Sequence, residues 1–416
     1  MKKDSYAAAQ RRDAGSRCAV APLREKSPLK PMQSWICCQL GAREHYAVPR
    51  ALKLGGLLDV LITDLWMKPL IGRFHPDLAD ARVVAPNILA LTFELKAQLA
   101  RENGWKLISR RNQWFQKQAV GQLAHIHNGH HIVFAYSYAA KEIFEFARER
   151  GWRTVLGQID PGPKGERVVS SFQQTSPIAP THSEPAPKAY WDNWRDECSL
   201  ADQILVNSQF SKDELIAEGV AAEKLRVIPL AYEGGNKTLP FQRHYPRAFS
   251  AERPLRVLFL GQVDLRKGVA QLLEAVKLLT GEHVEFWFVG PMQIRVPQDL
   301  KLHSQVRWFG VAPRVSVDSY YRDADVFIFP TLSDGFGLTQ LEAQGWKLPV
   351  IASRYCGEVV RDQVNGVVLE EVSGEAIAQV IRGFLRSPER LSAMSVRSGV
   401  DERFSLTKLA ESLKQL

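Results

Sequence analysis

Cysteine is scarce in this sequence, and the few residues present are scattered. Cys18, Cys37, Cys38, Cys198 and Cys356 are too irregularly spaced for a disulfide framework or a structural zinc site. Cys37 and Cys38 are neighbours in an apolar run that reads as a strand. Their side chains then point to opposite faces, and both read as free thiols at a core. Long apolar runs are missing too: none approaches the roughly 18 residues of a membrane-spanning helix. The amino terminus is basic but has no apolar stretch of the secretory kind, so the expected compartment is the cytoplasm. No Gly-x-Gly-x-x-Gly turn occurs at Gly41 or Gly261, which argues against a dinucleotide-dependent oxidoreductase. No nucleic-acid-binding motif accompanies the positive charge, so no nucleic-acid partner is expected.

The 416 residues suffice for two to three domains. With 45% hydrophobic and 24% charged residues, the composition is that of a folded chain, not a disordered one. Of the formal net charge of +9, a part sits in residues 1–30, where eight Lys or Arg face three Asp or Glu. That segment reads as a flexible basic tail. It is either a solvated leader or a surface for anionic lipid, which would make the protein peripheral to a membrane.

Beyond the tail, apolar runs alternate with helical patterns. Strands are expected at 34–40, 58–63, 131–136, 153–160, 203–208 and 225–229. Helices are expected at 46–53, 89–102, 110–123, 139–150 and 191–201, with one more capped by Ser211 and running to 218. Residues 176–188, with four prolines, read as loop. A polar stretch, 233–254, reads as a linker. A second series then has strands at 255–261, 284–290, 306–309, 326–330 and 349–352, and helices at 270–279, 317–322, 338–345 and 375–385. The expected class is α/β, with parallel sheets buried on both faces. The expected division is the tail 1–30, a first domain 31–232, the linker 233–254, a second domain 255–385, and C-terminal helices 386–416 packing back toward the first domain. Ligands of such sheets bind outside the carboxyl ends of the strands, so a cleft between the domains is the expected site.

In the second domain, Gly261 ends the first strand and lets a ligand approach the backbone. Arg266 and Lys267 follow at the same edge. Arg forks onto phosphate oxygens and Lys acts as a point charge, so the pair suits a diphosphate; a solvated basic turn is the plainer alternative. At another strand end, Asp334, Gly335, Phe336, Gly337 and Leu338 lead into a helix. Backbone N–H groups there form an anion nest. Asp334 can accept from sugar hydroxyls, and Glu342, in the first turns of the helix, from ribose hydroxyls. Singly, Asp334 reads as a turn residue and Glu342 as a surface acid that suits the helix dipole. Together, two cations, a nest and two spaced acids fit a nucleoside diphosphate carrying a sugar.

On these motifs the second half resembles the nucleotide-sugar domain of glycosyltransferase family 4, a retaining family. Asp334 and Glu342, with seven residues between them, are followed by Gly345 and by Pro349-Val-Ile-Ala-Ser353, as in that family. Residues 321–330 match the strand that leads in. Glu197, Ala201-Asp202, Asn207-Ser208 and Val227-Ile-Pro229 match the end of the first domain. The resemblance implies the GT-B fold, two Rossmann-like domains whose parallel sheets face across a cleft. It implies Lys267 on the donor diphosphate with Arg266 assisting, backbone of Phe336 to Leu338 on phosphate and sugar, and Glu342 on the ribose. It also implies Gly310 and Val311 at the base, Gly290 near the nucleotide, and Gly41 in a first-domain loop approaching phosphate and acceptor. Arg43 and His45 adjoin that loop without a family counterpart. The implied reaction moves a sugar from a UDP- or GDP-linked donor to an acceptor hydroxyl, with retention, no cofactor and no bound metal. The acceptor stays open among small metabolites, glycans and lipid-linked glycans.

Three positions depart from the family pattern. Asp334 replaces the usual Glu, and Gln262 stands where an Arg is common. Gln158, and then Asp160, stand where relatives carry a His near the sugar, which makes Asp160 the catalytic candidate on that side beside Lys267, Arg266 and Asp334. His125, His127, His130 and His131 read as surface or capping residues, not as a metal site. Trp66, Trp105, Trp114, Trp191 and Trp194 all fall in the first domain, as core fillers or as faces for sugar or lipid. Arg110 and Arg111 beside Trp114 suit either a solvated helix face or an anionic or membrane-linked acceptor. The alternative function is a catalytically weak, nucleotide-sugar-binding partner subunit.

Overall fold

The alternating apolar runs become two parallel sheets in the computed structural model, which describes residues 34–70, 72–173, 178–181, 184–234 and 241–416. The basic segment 1–30 and residues 235–240 of the expected linker lie outside the described residues. The first half runs through β1 (Ser34–Gln39), α1 (Ala47–Leu54), β2 (Leu58–Thr63), β3 (Val83–Val84), α2 (Asn87–Leu99) and α3 (Gly104–Leu123). It continues with β4 (His131–Tyr136), α4 (Lys141–Glu149), β5 (Arg153–Gly157), α5 (Lys164–Gln173), β6 (Ala179–Pro180) and α6 (Lys188–Leu200). It closes with β7 (Gln203–Val206), α7 (Gln209–Ala217) and β8 (Leu225–Val227). Its sheet has the order β3-β2-β1-β4-β5-β7-β8, with every pair parallel.

The second half holds β9 (Leu255–Leu260), α8 (Val269–Leu278), β10 (Val284–Val289), β11 (Ile294–Arg295), α9 (Gln298–Lys301) and β12 (Val306–Gly310). After them come α10 (Arg314–Asp323), β13 (Val326–Phe329), α11 (Leu338–Gly345), β14 (Val350–Ser353) and β15 (Gly366–Leu369). Helices α12 (Gly374–Arg386), α13 (Glu389–Arg397) and α14 (Leu406–Lys414) end the chain. This sheet is parallel too, in the order β12-β10-β9-β13-β14-β15.

Both sheets bury both faces, and the strand period of two decides which residue goes where. On β13, Val326 and Ile328 join one core while Phe327 and Phe329 join the other. Cys37 and Cys38 divide in the same way between the two cores of the first sheet, both buried and free. Each such apolar side chain contributes about 1.5–3 kcal/mol by leaving water.

In each sheet one strand has neighbours that lead off in opposite directions. β1 lies between β2 and β4, and β9 lies between β10 and β13. Loops leaving those strand ends diverge and open a crevice, which is where ligands of this architecture bind.

Several elements differ from expectation. β5 stops at Gly157, which leaves Gln158 to Asp160 as loop. The helix α5 occupies a stretch where none was expected. Within the expected Pro-rich loop, β6 pairs antiparallel with β11, and Ile178 is buried in a core of the second half. Two-residue strands are too short to leave a periodic signal. The cap of α7 is Ser208, not Ser211: Ser208 is extended and its Oγ accepts the Ser211 N–H at 3.1 Å. At the other end of the chain, α14 packs on α1, and Leu409, Ala410 and Leu413 join a core of the first sheet. The described residues form one compact unit.

Candidate active site

The loop after β9 and the loop after β13 are stitched together where the second sheet reverses. The Arg266 carbonyl accepts from Leu332 N–H at 2.8 Å and from Thr331 Oγ1 at 3.1 Å. Gly268 makes this approach feasible: its φ is +72°, and a Cβ there would lie 1.8 Å from the Pro330 carbonyl oxygen. The stitching delivers both cations to one carboxylate. Lys267 Nζ is ion-paired with Asp334 Oδ2, and Arg266 Nη1 lies 3.5 Å from the same oxygen and 2.8 Å from the Ser333 carbonyl. Lys267 Nζ also stands 4.9 Å from the centre of the Phe329 ring.

Burial alone would raise the Asp334 carboxyl, but Lys267 and Arg266 outweigh it and hold the group below the usual carboxylate range. Burial pulls the other way on Arg266, where Asp334, Asp264 and Asp160 prevail and strengthen its hold on its proton. Asp334 Oδ1 accepts the Phe336 N–H at 3.3 Å, at the loop leading to α11. Glu342, on α11, accepts from Tyr321 Oη at 2.7 Å.

Across from this cluster, the loop after β5 presents Asp160. Its Oδ1 accepts from Tyr138 Oη at 2.6 Å, Gly162 N–H at 2.9 Å and Gln158 Nε2 at 3.1 Å. Gln158 is itself fixed, because its Oε1 accepts from Trp194 Nε1 at 3.0 Å. Burial pushes the Asp160 carboxyl up, against the opposing pull of Tyr138, Gly162, Arg266 and Arg43. The two halves touch here through Gly335, where a Cβ would lie 2.2 Å from the Ile159 carbonyl oxygen. Any side chain at 335 would push the halves apart.

The loop after β1 carries backbone strain. Glu44, His45 and Tyr46 have φ of 51°, 52° and 60°, three consecutive non-glycine residues in the left-handed region. Each such residue costs on the order of 1 kcal/mol or more. The surroundings hold the loop in place. Gln39 Nε2 donates to the carbonyls of Gly41 and Arg43 at 3.0 and 3.1 Å, and Asp64 accepts the Gly41 N–H at 2.9 Å. Tyr136 Oη donates to Glu44 at 3.0 Å, and Tyr46 is buried edge-on to Trp66. His45 Nε2 lies 2.9 Å from Arg314 Nη2 on the other half. Burial, and then Arg314, His75 and Arg50, lower the His45 imidazole pKa, favouring the neutral ring that can accept from Arg314.

Two cavities divide the candidate residues. The larger, about 800 Å³, is lined by Arg43, Asp160, Arg266 and Asp334 and has an aromatic wall. In that wall Tyr138 stacks on Tyr190 at 4.7 Å and Trp105 lies 4.8 Å from Tyr190. The smaller, about 230 Å³, is lined by Glu44, His45, Arg50, Arg314, Leu338 and Glu342. The loop from Asp334 to Leu338 therefore serves both. Gly261, Gly290 and Gly310 line up across neighbouring strand ends: Gly261 N–H donates to the Val289 carbonyl and Gly290 N–H to the Gly310 carbonyl. Gly41, Gly261, Lys267, Gly290, Val311, Gly335, Phe336 and Gly337 line neither of these two cavities; Lys267 reaches the larger one only through its ion pair with Asp334. His131 is held between Ser34 Oγ and the His127 carbonyl, and among the described residues no three metal-ligating side chains cluster. Tyr138, Tyr190 and Glu44 were not singled out in the sequence, where nothing in their spacing marks them.

Chemically, the second half offers two cations shared by one carboxylate, which an anionic ligand can compete for. The first half offers mainly neutral donors and aromatic faces around Asp160, with Arg43 beside them.

Comparison with known proteins agrees with this geometry. Residues 254–387 match the family described as Glycosyl transferases group 1. D-inositol 3-phosphate glycosyltransferase 1 of Catenulispora acidiphila is 30% identical over 58% of this chain and 63% of its own length. The amylovoran biosynthesis glycosyltransferase AmsK of Erwinia amylovora is 24% identical over 58% of this chain and 60% of its own. The chain thus spans less than two thirds of the length of these curated relatives. Among solved structures, HepE of Anabaena in complex with UDP superimposes with a TM-score of 0.59 at 16% identity, covering 92% of this chain and 99% of that one. Sucrose-phosphate synthase of Thermosynechococcus elongatus does so with a TM-score of 0.64 at 17% identity, covering 92% and 98%. The fold is GT-B.

Proposed function

We propose, from the match of residues 254–387 to the family described as Glycosyl transferases group 1, that the protein transfers a sugar from a nucleoside-diphosphate donor to an acceptor hydroxyl. Transfer proceeds with retention of anomeric configuration and without a bound metal. The observation that carries this reading is the convergence of Lys267 and Arg266 on Asp334, at the point where the second sheet reverses.

In this reading the donor diphosphate takes the place of the Asp334 carboxylate beside Lys267, and Arg266 forks onto it. The first N–H groups of α11, from Leu338 and Thr339, lack partners within the helix and face the charge that grows on the leaving diphosphate. Glu342 receives the ribose in the smaller cavity. Asp334, released from Lys267, accepts from a sugar hydroxyl. The acceptor enters along the aromatic wall, with Asp160 at the rim, and its hydroxyl attacks the anomeric carbon from the face that the diphosphate leaves; the bond from that carbon to the diphosphate oxygen breaks, and the hydroxyl proton passes to the departing diphosphate. Water is kept out by the contact between Gly335 and Ile159, which limits hydrolysis of the donor. A UDP-linked donor is the first to test, because the neighbour from Anabaena was solved with UDP.

The test is a calorimetric panel of UDP- and GDP-sugars, followed by nuclear magnetic resonance of the sugar released in slow donor hydrolysis, with and without chelator. One donor is expected to bind, an α-linked donor to release the α-anomer first, and chelator to leave the rate unchanged. Failure of every nucleotide sugar to bind ends the reading. Binding without any turnover favours a partner subunit over an enzyme, and a complete loss in chelator that added metal restores overturns metal independence.

A further inference from the structure

Helix α2 faces the wrong way for a helix on a globular surface. Ile88, Leu91, Leu95 and Leu99 recur at the spacing of one helical face. That face is turned to solvent: the four residues are 77%, 47%, 56% and 76% exposed. The opposite face, against the protein, carries the small residues Ala90 and Ala97, both buried, with Phe93 and Glu94 half-buried. Leu89 on the same helix and Ile108 on α3 are exposed too, at 51% and 39%. Single exposed aliphatics are ordinary, but a contiguous stripe on one helix marks an interaction surface.

The net charge around the stripe is positive. Residues 87–123 hold six Lys or Arg and two Glu. Both acids are taken up: Glu94 pairs with Arg111 at 2.7 Å, and Glu102 with Arg110 at 2.8 Å and Lys106 at 3.8 Å. Lys96, on the shoulder of the stripe, and Arg101 and Lys117 are exposed. No helix among the described residues is long and apolar enough to cross a membrane. α2, 13 residues and about 20 Å long, can instead lay its exposed apolar face along a surface. We infer that α2 docks on an anionic membrane surface, its leucines entering the acyl boundary and its basic shoulder meeting lipid phosphates. A second copy of the chain fits less well, because pairing two such faces brings basic flanks together.

The placement bears on the cleft. Arg101, at φ +50°, turns the chain from α2 into α3, and Trp105 in the first turn of α3 lines the larger cavity. A docked α2 therefore sets the cleft mouth at the lipid surface, where an acceptor hydroxyl presented by a lipid would meet it. Only this last consequence rests on the proposed glycosyl transfer.

Docking is tested on the whole chain without donor, by co-sedimentation with phosphatidylcholine vesicles with or without phosphatidylglycerol. The wild type is expected to bind the anionic vesicles and to lose binding in high salt. Leu95→Ser/Leu99→Ser is expected to weaken that binding at least tenfold, and Lys96→Glu about fivefold, with melting temperature and nucleotide-sugar binding unchanged. The basic amino-terminal segment is present in every variant, so it cannot account for a difference between the variants. Equal binding by wild type and the Ser variant, or equal binding to neutral and anionic vesicles, overturns the assignment. So does a dimer, seen by sedimentation equilibrium, that the Ser variant abolishes. Because no donor is needed, docking and glycosyl transfer stand or fall separately.

Discussion

Asp334 and Asp160 line the same cavity from opposite halves, yet their surroundings are opposite in kind. Asp334 is held by two cations and sits below the ordinary carboxylate range, with Lys267 and Arg266 overcoming its burial. Asp160 is held chiefly by neutral donors, and burial pushes it above that range. The difference teaches what each side is built to receive. A largely buried site with two cations to one carboxylate suits a ligand that brings negative charge, which describes a diphosphate. A site of hydroxyl, amide and aromatic groups suits a neutral, hydroxyl-rich ligand.

The comparison breaks most clearly at Lys267. Lys267→Ala is expected to lower kcat/KM by about 10³-fold, roughly 4 kcal/mol, and to weaken donor binding. Circular dichroism should stay native, since the side chain projects from a loop and contributes little to either core. Wild-type turnover by this variant would mean that the cationic side does not hold the diphosphate.

A second acid of the first half sharpens the contrast. Glu197 is buried and accepts the N–H groups of Tyr138 at 2.7 Å and Ala140 at 2.8 Å. Burial, opposed by these N–H donors, pushes its carboxyl up from 4.5 to about 7. Between those two values the native state holds a proton that the unfolded chain has lost. Stability from this group is therefore fully present below pH 4.5 and is lost as pH rises toward 7. The span is worth on the order of 3 kcal/mol. Melting curves of wild type and Glu197→Gln across this range should show the wild type losing more stability on the way up. A wild type that gains on the variant with rising pH would place Glu197 in the same class as Asp334.

The two halves also differed in how much could be read from sequence. In the second, buried strands of period two lead into loops whose Gly, Arg, Lys and Asp residues stand at fixed offsets. The sheet, the family and the meeting of Arg266, Lys267 and Asp334 were thus within reach. In the first, the informative features are conformational. Three left-handed residues at Glu44 to Tyr46 leave little trace in residue type, since of the three only His is enriched in that region. The strand Ala179–Pro180 is too short to show a period, and its partner lies more than a hundred residues away. The aromatic wall of Trp105, Tyr138 and Tyr190 is assembled from three separate elements. The division of Asp334 and Glu342 between two cavities was hidden for the same reason: spacing along a helix says which residues are near, not which wall they join.

The smallest expected effect is the most discriminating. Asp160→Asn keeps the size of the side chain and one acceptor for Tyr138 Oη, but removes the charge that faces Arg266. It is expected to lower kcat about tenfold while leaving the KM for donor near the wild-type value, since an interaction felt only in the transition state moves kcat and not binding. Lys267→Ala should move both. If Asp160→Asn instead weakened donor binding as Lys267→Ala does, Asp160 would belong to the diphosphate site through Arg266, and the two sides would be one. If it changed neither constant, the three donors around Asp160 would serve to fix the loop after β5 against Gly335, and the acid would act on the closure of the halves and not on the sugar.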